Sequence, residues 1–336
     1  MQTQLLNASD TSIAYAAKLL KAGELVAIPT ETVYGLACDA TNPEAVAKIF
    51  IAKGRPQDNP LIVHVNSMEM LKPLVRELPQ AALNLAQHYW PGPMTLVLPK
   101  SNVIPSIVSA GLDTVAIRMP SHPIALRIIE ESGLPLAAPS ANLSSRPSPT
   151  LASHVMDDMQ GRIPLIIDAG ASKYGLESTV ISIQGETAHI LRPGAVTYSQ
   201  ISELIDSVDI DNSVLKPFEG GTASSPGMKY KHYTPKATVI MVKGSIESFI
   251  EYTKSKKSDN VYCLVFDVDN EKVSLPHLTF GDTPEEQANQ LFNRLRELDK
   301  LGAQTIYARC PTPEGIGLAV YNRLIRAAGF EVIDLE

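Results

Sequence analysis

The sequence predicts an α/β protein in two parts. Three observations carry that reading. Over the N-terminal two-thirds, short apolar strands mix with amphipathic helices. After about position 206 comes "DSVDIDNSVLKPFEGGTASSPGMKYKHYTPKA", which has no clear periodicity and is rich in Gly, Ser and Pro. From Ala237 onward, strand and helix patterns alternate strictly. Strict alternation implies a parallel sheet with helices packed on it, a smaller doubly wound (Rossmann-like) domain of about 100 residues. A structureless loop of roughly thirty residues is uncommon inside one domain. The expected organisation is a first domain at 1–205, a linker or lid at 206–236 and the doubly wound domain at 237–336; a length of 336 residues suits two domains.

Taken in order, residues 12–21 read as a helix, with Ile13, Ala16, Ala17 and Leu20 at helical spacing. Asp10 and Thr11 are its candidate N-caps and Gly23 its stop. "LVAIP" is a short buried strand. "PEAVAKIFIAKG" is a second helix ending at Gly54, and "LIVHV" is the strand after the loop that follows. "PQAALNLAQHYW" is helical, "PGPMTLVLPK" turns into a strand, "TVAIRMP" is a strand, "HPIALRIIEESG" a helix, and "LPLAAPSAN" a strand running into a loop. "PLIIDAG", "STVISIQ" and "AHILRPG" are strands and "TYSQISELI" a short helix. Beyond Ala237, the strands "TVIMV", "VYCLVF", "QTIYARC" and "EVIDL" alternate with the helices "SIESFIEYTKS", "PEEQANQLFNRLRELDKLG" and "GIGLAVYNRLIRAAG".

Composition narrows the function classes. The hydrophobic fraction of 44% and charged fraction of 19% are those of a soluble globular protein. A formal charge of -7 argues against a protein that coats nucleic acid, but it leaves room for a local basic pocket. Cys38, Cys263 and Cys310 form no C-x-x-C pair and no zinc spacing. A reducing cytoplasm is their natural setting. "MQTQLLNASD" carries neither the basic nor the apolar region of a signal peptide. No apolar run approaches the roughly 18 residues of a membrane span. A monomer is the default expectation.

No G-x-x-x-x-G-K-[ST] is present, so there is no P-loop. "EGIGLAV" offers G-x-G at a helix mouth without a third glycine, and reads as a tight strand-to-helix turn. The informative signals lie earlier. "IPTETVYGL" puts Thr30, Glu31, Thr32 and Tyr34 after a buried strand, where ligands of open α/β sheets sit. "KGRPQDNPLIVHV" brings Lys53, Arg55, Asn59 and His64; its cations taken alone suit a solvated turn, and a lone strand histidine suits a core. "TVAIRMP" places Arg118 among apolar neighbours. A buried unpaired guanidinium is too unfavourable to be incidental, so Arg118 faces an anion or a cavity. "AAPSANLSSRPSP" supplies Ser140 and Asn142 at a strand end, then Ser144, Ser145 and Ser148. "STVISI" supplies Ser178 and Thr179, and "LRPG" supplies Arg192. Cations at strand or helix ends, interleaved with small hydroxyls, suit a polyanionic ligand such as a nucleoside triphosphate. With no Ser-His-Asp triad and no cysteine-nucleophile context, catalysis by positioning and charge stabilisation is expected.

In this order, "PTETVYGL", "KGRPQDNPL", "AIRMP", "APSAN" and "LRPG" resemble the YrdC-type domain of L-threonylcarbamoyladenylate synthases. "SPGMKYKHYTP" resembles the linker signature of the two-domain members. The resemblance spans essentially the whole chain. It implies a twisted mixed sheet with helices and an open cavity, followed by the doubly wound domain. It also implies a nucleotidyltransferase that converts ATP, L-threonine and bicarbonate or CO2 to threonylcarbamoyl-AMP, pyrophosphate and water. The product serves a modified adenosine beside the tRNA anticodon, and downstream threonylcarbamoyl transferase proteins are implied partners.

By the same resemblance, the catalytic tetrad falls on Lys53, Arg55, Ser140 and Asn142. The threonine pocket falls on Thr32, His64, Arg118, Ala138 and Ser178. The ATP contacts fall on Arg55, Asn59, Thr114, Ser140, Ser148, Arg192 and Tyr233, with Tyr230 a competitor for the last. "SANLSSRPS" departs from the pattern, where a glycine is expected near Ser145. Mg2+ is expected to travel with ATP on phosphate oxygens, with few or no protein ligands. Lys229, Tyr230, Lys231, His232 and Tyr233 suit a lid over unstable intermediates, so deleting 225–235 is expected to lower activity more than melting temperature.

Three other readings compete with this one. An RNA-binding or ribosome-maturation module is disfavoured by the acidic balance, the single tryptophan and the absence of RNP or KH motifs. A carbamoyltransferase with the same domain type carries zinc segments that three scattered cysteines cannot build. The third rival is an amino-acid or nucleotide sensor without turnover.

Overall fold

The computed structural model describes residues 1–217, 232–256, 258 and 260–336. Lys229, Tyr230 and Lys231 of the expected lid lie outside the described residues. The chain separates into two compact units. The first runs to Val214 and is interrupted at Ser145–Pro147. That short stretch belongs to the second unit, together with Leu215–Pro217 and the described residues from His232 onward.

The first unit is built from β1 (Gln4–Asn7), α1 (Asp10–Lys21), β2 (Val26–Ile28), β3 (Gly35–Asp39), α2 (Pro43–Lys53), β4 (Ile62–His64), α3 (Met68–Leu71), α4 (Gln80–Tyr89), β5 (Met94–Pro99) and α5 (Ser106–Ser109). It continues with β6 (Thr114–Arg118), α6 (Pro123–Ser132), β7 (Leu136–Ala137), α7 (Ala152–Met159), β8 (Leu165–Asp168), β9 (Thr179–Gln184), β10 (Thr187–Arg192), α8 (Tyr198–Ser202) and β11 (Ser207–Ile210). Helix α1 starts earlier than its apolar spacing suggests, because Ser9 and not Asp10 or Thr11 is the cap. Ser9 and Ser12 exchange side-chain and backbone hydrogen bonds in a capping box.

The strands form one mixed sheet in the order β1-β8-β2-β3-β7-β4-β6-β5-β9-β10-β11. Strand β11 lies inside the segment expected to be linker, and pairs in parallel with β10. The linker therefore begins later than position 206. Both edge strands, β1 and β11, are four residues long and mostly exposed. A strand buried on neither face leaves no alternation to read.

One sheet face is buried along most strands by a large core that includes Leu36, Val63, Leu96, Ile117, Ile181 and Ile190. The opposite face is divided. On β2, β3, β7 and β8, Val26, Ala37, Leu136 and Ile167 pack under Ile13 and Leu20 of α1 and Ile128 and Ile129 of α6. On β4, β5, β6, β9 and β10, the apolar cluster consists of strand residues alone: Ile62, Val97, Ala116, Val180 and Leu191. That second half holds the candidate site.

The second unit contains β12 (Thr238–Lys243), α9 (Ile246–Lys254), β13 (Val261–Val265), β14 (His277–Thr279), α10 (Pro284–Lys300), β15 (Thr305–Arg309), α11 (Gly317–Ala327) and β16 (Val332–Asp334). Its sheet order is β14-β13-β15-β12-β16, and every pairing is parallel. Strand β14 escapes sequence reading because it is three half-buried residues.

Candidate active site

The strand register builds the site. His64 of β4 pairs with Arg118 of β6, Arg118 with Thr95 of β5, Thr95 with Val180 of β9, and Val180 with Arg192 of β10. Directly paired residues on neighbouring strands share a face. One row across five adjacent strands thus carries two guanidiniums, an imidazole and a hydroxyl. Two residues along, the period-2 pleat returns Ile62, Ala116 and Val97 to the same face as an apolar floor. Thr114 lies on this face as well, two further residues along β6.

Arg118 sits at the centre of the row and is 4% exposed. Its Nη2 lies 2.7 Å from Glu31 Oε1, its Nη1 donates to Thr32 Oγ1 at 2.8 Å, and its Nε donates to the Gly92 carbonyl at 3.3 Å. The guanidinium does face an anion, and that anion is Glu31. Burial, the largest single influence, would raise the Glu31 carboxyl, but the adjacent Arg118 together with backbone N–H groups of Ser121 and Glu31 itself holds it below its ordinary value. His64, also buried, is pushed down to about 3, first by burial and then by the Arg118 charge, so it is neutral. Thr32 is fixed from behind by Thr30, whose hydroxyl lies 2.9 Å away. Ala138 donates its N–H to Ile62 O at 2.9 Å, which anchors it beside β4.

The basic loop "KGRPQDNP" begins where α2 ends. Asn42 caps the start of α2, and Gly54 closes it at φ 60°, the left-handed conformation that favours glycine. This puts Lys53 on the last turn, 2% exposed. Its Nζ donates to the carbonyls of Ser140 at 2.5 Å and Asn142 at 2.6 Å. Its own carbonyl accepts from Ser144 N at 2.9 Å. Lys53, Ser140 and Asn142, distant in sequence, therefore form one unit. Arg55 is half-buried and donates through Nη2 to Pro60 O at 3.1 Å. Asn59 is buried, and its Oδ1 accepts no hydrogen bond among the described residues.

Ser178 links Thr95 to Arg192 within the row. Its hydroxyl lies 2.7 Å from Thr95 Oγ1 and accepts from Arg192 Nη2 at 3.2 Å, while its carbonyl accepts from Arg192 Nε at 3.1 Å. Gly194 allows this approach: a Cβ there would lie 2.4 Å from Thr179 N and 2.8 Å from the Ser178 carbonyl carbon. Ser148 donates to Glu177 Oε1 at 2.5 Å. Tyr233 belongs to the second unit, where its ring packs 5.1 Å from that of Phe292 and lies 5.6 Å from the Arg323 guanidinium.

The structure thus joins Thr32, His64, Arg118, Ser178 and Arg192 on one face, and Lys53, Ser140 and Asn142 in one cage. Thr95, Glu177 and the pairing of Glu31 with Arg118 escape sequence reading. Thr95 hides inside the apolar "MTLVLP", and its role emerges only from strand register.

A family model described as "Telomere recombination" matches residues 18–194, and one described as "Threonylcarbamoyl-AMP synthase, C-terminal domain" matches residues 196–329. A threonylcarbamoyl-AMP synthase of Pyrococcus abyssi (strain GE5 / Orsay) is 46% identical over 330 residues, 96% of this chain and 95% of that one. A threonylcarbamoyl-AMP synthase of Bacillus subtilis (strain 168) is 44% identical over 341 residues, 98% of this chain and 97% of that one. The crystal structure of P. abyssi Sua5 complexed with L-threonine is similar with a TM-score of 0.93 at 44% identity, covering 99% of this chain and 100% of that one. The chain belongs to the threonylcarbamoyl-AMP synthase family.

Proposed function

We propose that this protein condenses L-threonine, bicarbonate or CO2, and ATP into threonylcarbamoyl-AMP, releasing pyrophosphate and water, for tRNA threonylcarbamoyladenosine synthesis. The observation that carries this reading is the polar row of His64, Arg118, Thr95 and Arg192, lying on the half of the sheet face whose apolar cluster is made of strand residues alone.

Bicarbonate takes up a proton and loses water to give CO2, and the threonine amine forms an N–C bond to it, giving a carbamate and a released proton. A carbamate oxygen then bonds to the α-phosphorus of ATP. The bond from that phosphorus to the β-bridging oxygen breaks, and pyrophosphate leaves with the electron pair. Both partners are anionic, so the barrier is largely electrostatic. Arg118, with Thr32, His64, Ala138 and Ser178, receives the amino acid. Arg55, Asn59, Thr114, Ser140, Ser148 and Arg192 receive the nucleotide, and Tyr233 is a further candidate. Lys53 acts by holding Ser140 and Asn142 in shape, and its charge favours the anions that approach them.

Mg2+ is proposed to arrive with ATP and to neutralise the triphosphate. The donor set fits this. Glu31 is engaged by Arg118 and Glu177 by Ser148, and among the described residues no cluster of three His, Cys, Asp or Glu side chains is present. No helix among the described residues is long and apolar enough to cross a membrane. A cytoplasmic monomer that passes its product to a downstream transferase is the setting we propose. The test is pyrophosphate release from ATP, with L-threonine and bicarbonate added or withheld. Release should require both, and tight RNA binding without release would favour an RNA-binding module instead.

A further inference from the structure

The Glu31–Arg118 pair raises a question the reaction does not answer. A cation that serves only to receive a substrate carboxylate needs no resident carboxylate beside it. Here Glu31 and Arg118 are each 4% exposed and 2.7 Å apart. The two histidines that face the pair carry no charge at neutral pH. His64, the register neighbour of Arg118, is neutral, with its pKa pushed down to about 3. His122 is pushed below its ordinary value by burial despite the opposing pull of Glu31, and its Nδ1 accepts from Ile124 N–H at 3.2 Å. Thr32 and Thr95 add hydroxyls only. Arg192 addresses Ser178, through both its carbonyl and its hydroxyl. Glu31 therefore cancels the charge of Arg118 before any ligand arrives.

We propose that Glu31 is a specificity-determining residue. By compensating Arg118 it leaves that end of the amino-acid pocket without excess charge, so the pocket accepts a zwitterionic α-amino acid and turns away a plain carboxylate. This rests on the function proposed above. The physical reason is the burden of an unpaired buried charge. A plain carboxylate would bring a net negative charge into a buried, already balanced pocket. An α-amino acid brings its own ammonium and enters with the sum unchanged; the negative charge of the carbamate arises only after binding, so it bears on the chemical step and not on which ligand enters. Without Glu31 the pocket would hold one excess positive charge, and any small anion would relieve it.

The discriminating probe is 3-hydroxybutyrate, the threonine skeleton without its amine. L-threonine methyl ester, which lacks the carboxylate charge, is the cationic counterpart. Dissociation constants are measured by calorimetry on the full chain, wild type and Glu31→Gln. Wild type should prefer L-threonine to 3-hydroxybutyrate by at least about 100-fold, and the ester should also bind weakly. Glu31→Gln should narrow the preference for threonine over 3-hydroxybutyrate by at least about tenfold. A general loss of stability does not move this ratio, which separates selectivity from a merely structural role. If the variant fails to fold, the wild-type ligand series decides alone. Wild type binding 3-hydroxybutyrate within about threefold of threonine would overturn the proposal. So would an unchanged ratio in Glu31→Gln, even with threonine-dependent pyrophosphate release intact, and then the assigned reaction would stand. A wild-type protein that neither binds threonine nor releases pyrophosphate with it would overturn both.

Discussion

Replacing Lys53 with Met tests the structural role that its contacts with Ser140 and Asn142 give this cation. Met keeps most of the apolar stem and removes the ammonium. Two hydrogen bonds from a charged donor disappear, at 2.5 Å to Ser140 O and 2.6 Å to Asn142 O. Each is worth about 1.5–3 kcal/mol, and the carbonyls left behind are hard to satisfy. Relief from burying an ammonium offsets part of the loss. A net destabilisation of about 2–4 kcal/mol follows, which for a unit of this size lowers Tm by roughly 5–12 °C. Arg55→Ala is the control. Arg55 is half-buried, and its Nη2 donates to Pro60 O at 3.1 Å and Asn59 O at 3.4 Å, both longer than the Lys53 bonds, so its stability loss should stay below that of Lys53→Met. Both variants should lose threonine- and bicarbonate-dependent pyrophosphate release. Calorimetric melting measured beside that assay decides the matter. Lys53→Met melting with wild type, or Arg55→Ala losing as much stability as Lys53→Met, would refute the cage.

Two further predictions follow from the same geometry. His64 has its folded-state pKa at about 3, below the ordinary histidine value near 6.5. The unfolded chain therefore takes up this proton first on acidification. The stabilisation is full above pH ~6.5 and declines between there and about pH 3, at up to about 1.4 kcal/mol per pH unit. Urea unfolding across that window should show a shallower slope in His64→Gln, and an unchanged slope would contradict the buried neutral imidazole. Gly194→Ala forces a methyl to within 2.4 Å of Thr179 N and 2.7 Å of Thr179 Oγ1, atoms of a buried residue at the start of β9. It should displace Ser178 and raise KM for threonine, with a loss of about 1–3 kcal/mol in stability. Wild-type kinetics in that variant would remove Ser178 from the pocket.

Much of the site was legible because strand ends in open α/β sheets collect ligand groups, and the motifs sit at strand ends. The apolar setting of Arg118 demanded an anion or a cavity, and the structure supplies the anion as Glu31. Which carboxylate it would be was not readable, since the two residues are far apart in sequence and meet only through the fold. Lys53 was legible as a cation but not as a donor to Ser140 and Asn142. That depends on where α2 ends relative to β7, a tertiary fact. Thr95 was invisible for the opposite reason. It sits between Met94 and Leu96 in a buried strand, and only the register with Arg118 and Val180 turns its hydroxyl into a link to Ser178. In the second unit the strict alternation fixed the parallel sheet, and the one strand without alternation, β14, was missed. The nucleotide contact expected of Tyr233 comes from the family resemblance alone; within the second unit its ring packs against Phe292 and lies near Arg323.

The assigned reaction joins three substrates through one new carbon, and that carbon can be followed. The full chain is incubated with ATP, L-threonine and 13C-labelled bicarbonate, and the adenylate product is analysed by mass spectrometry. The account predicts an adenylate heavier by the single labelled carbon, formed only when threonine is present and lost in Arg55→Ala. Pyrophosphate release with no label in the adenylate, or a labelled product that forms without threonine, would contradict it.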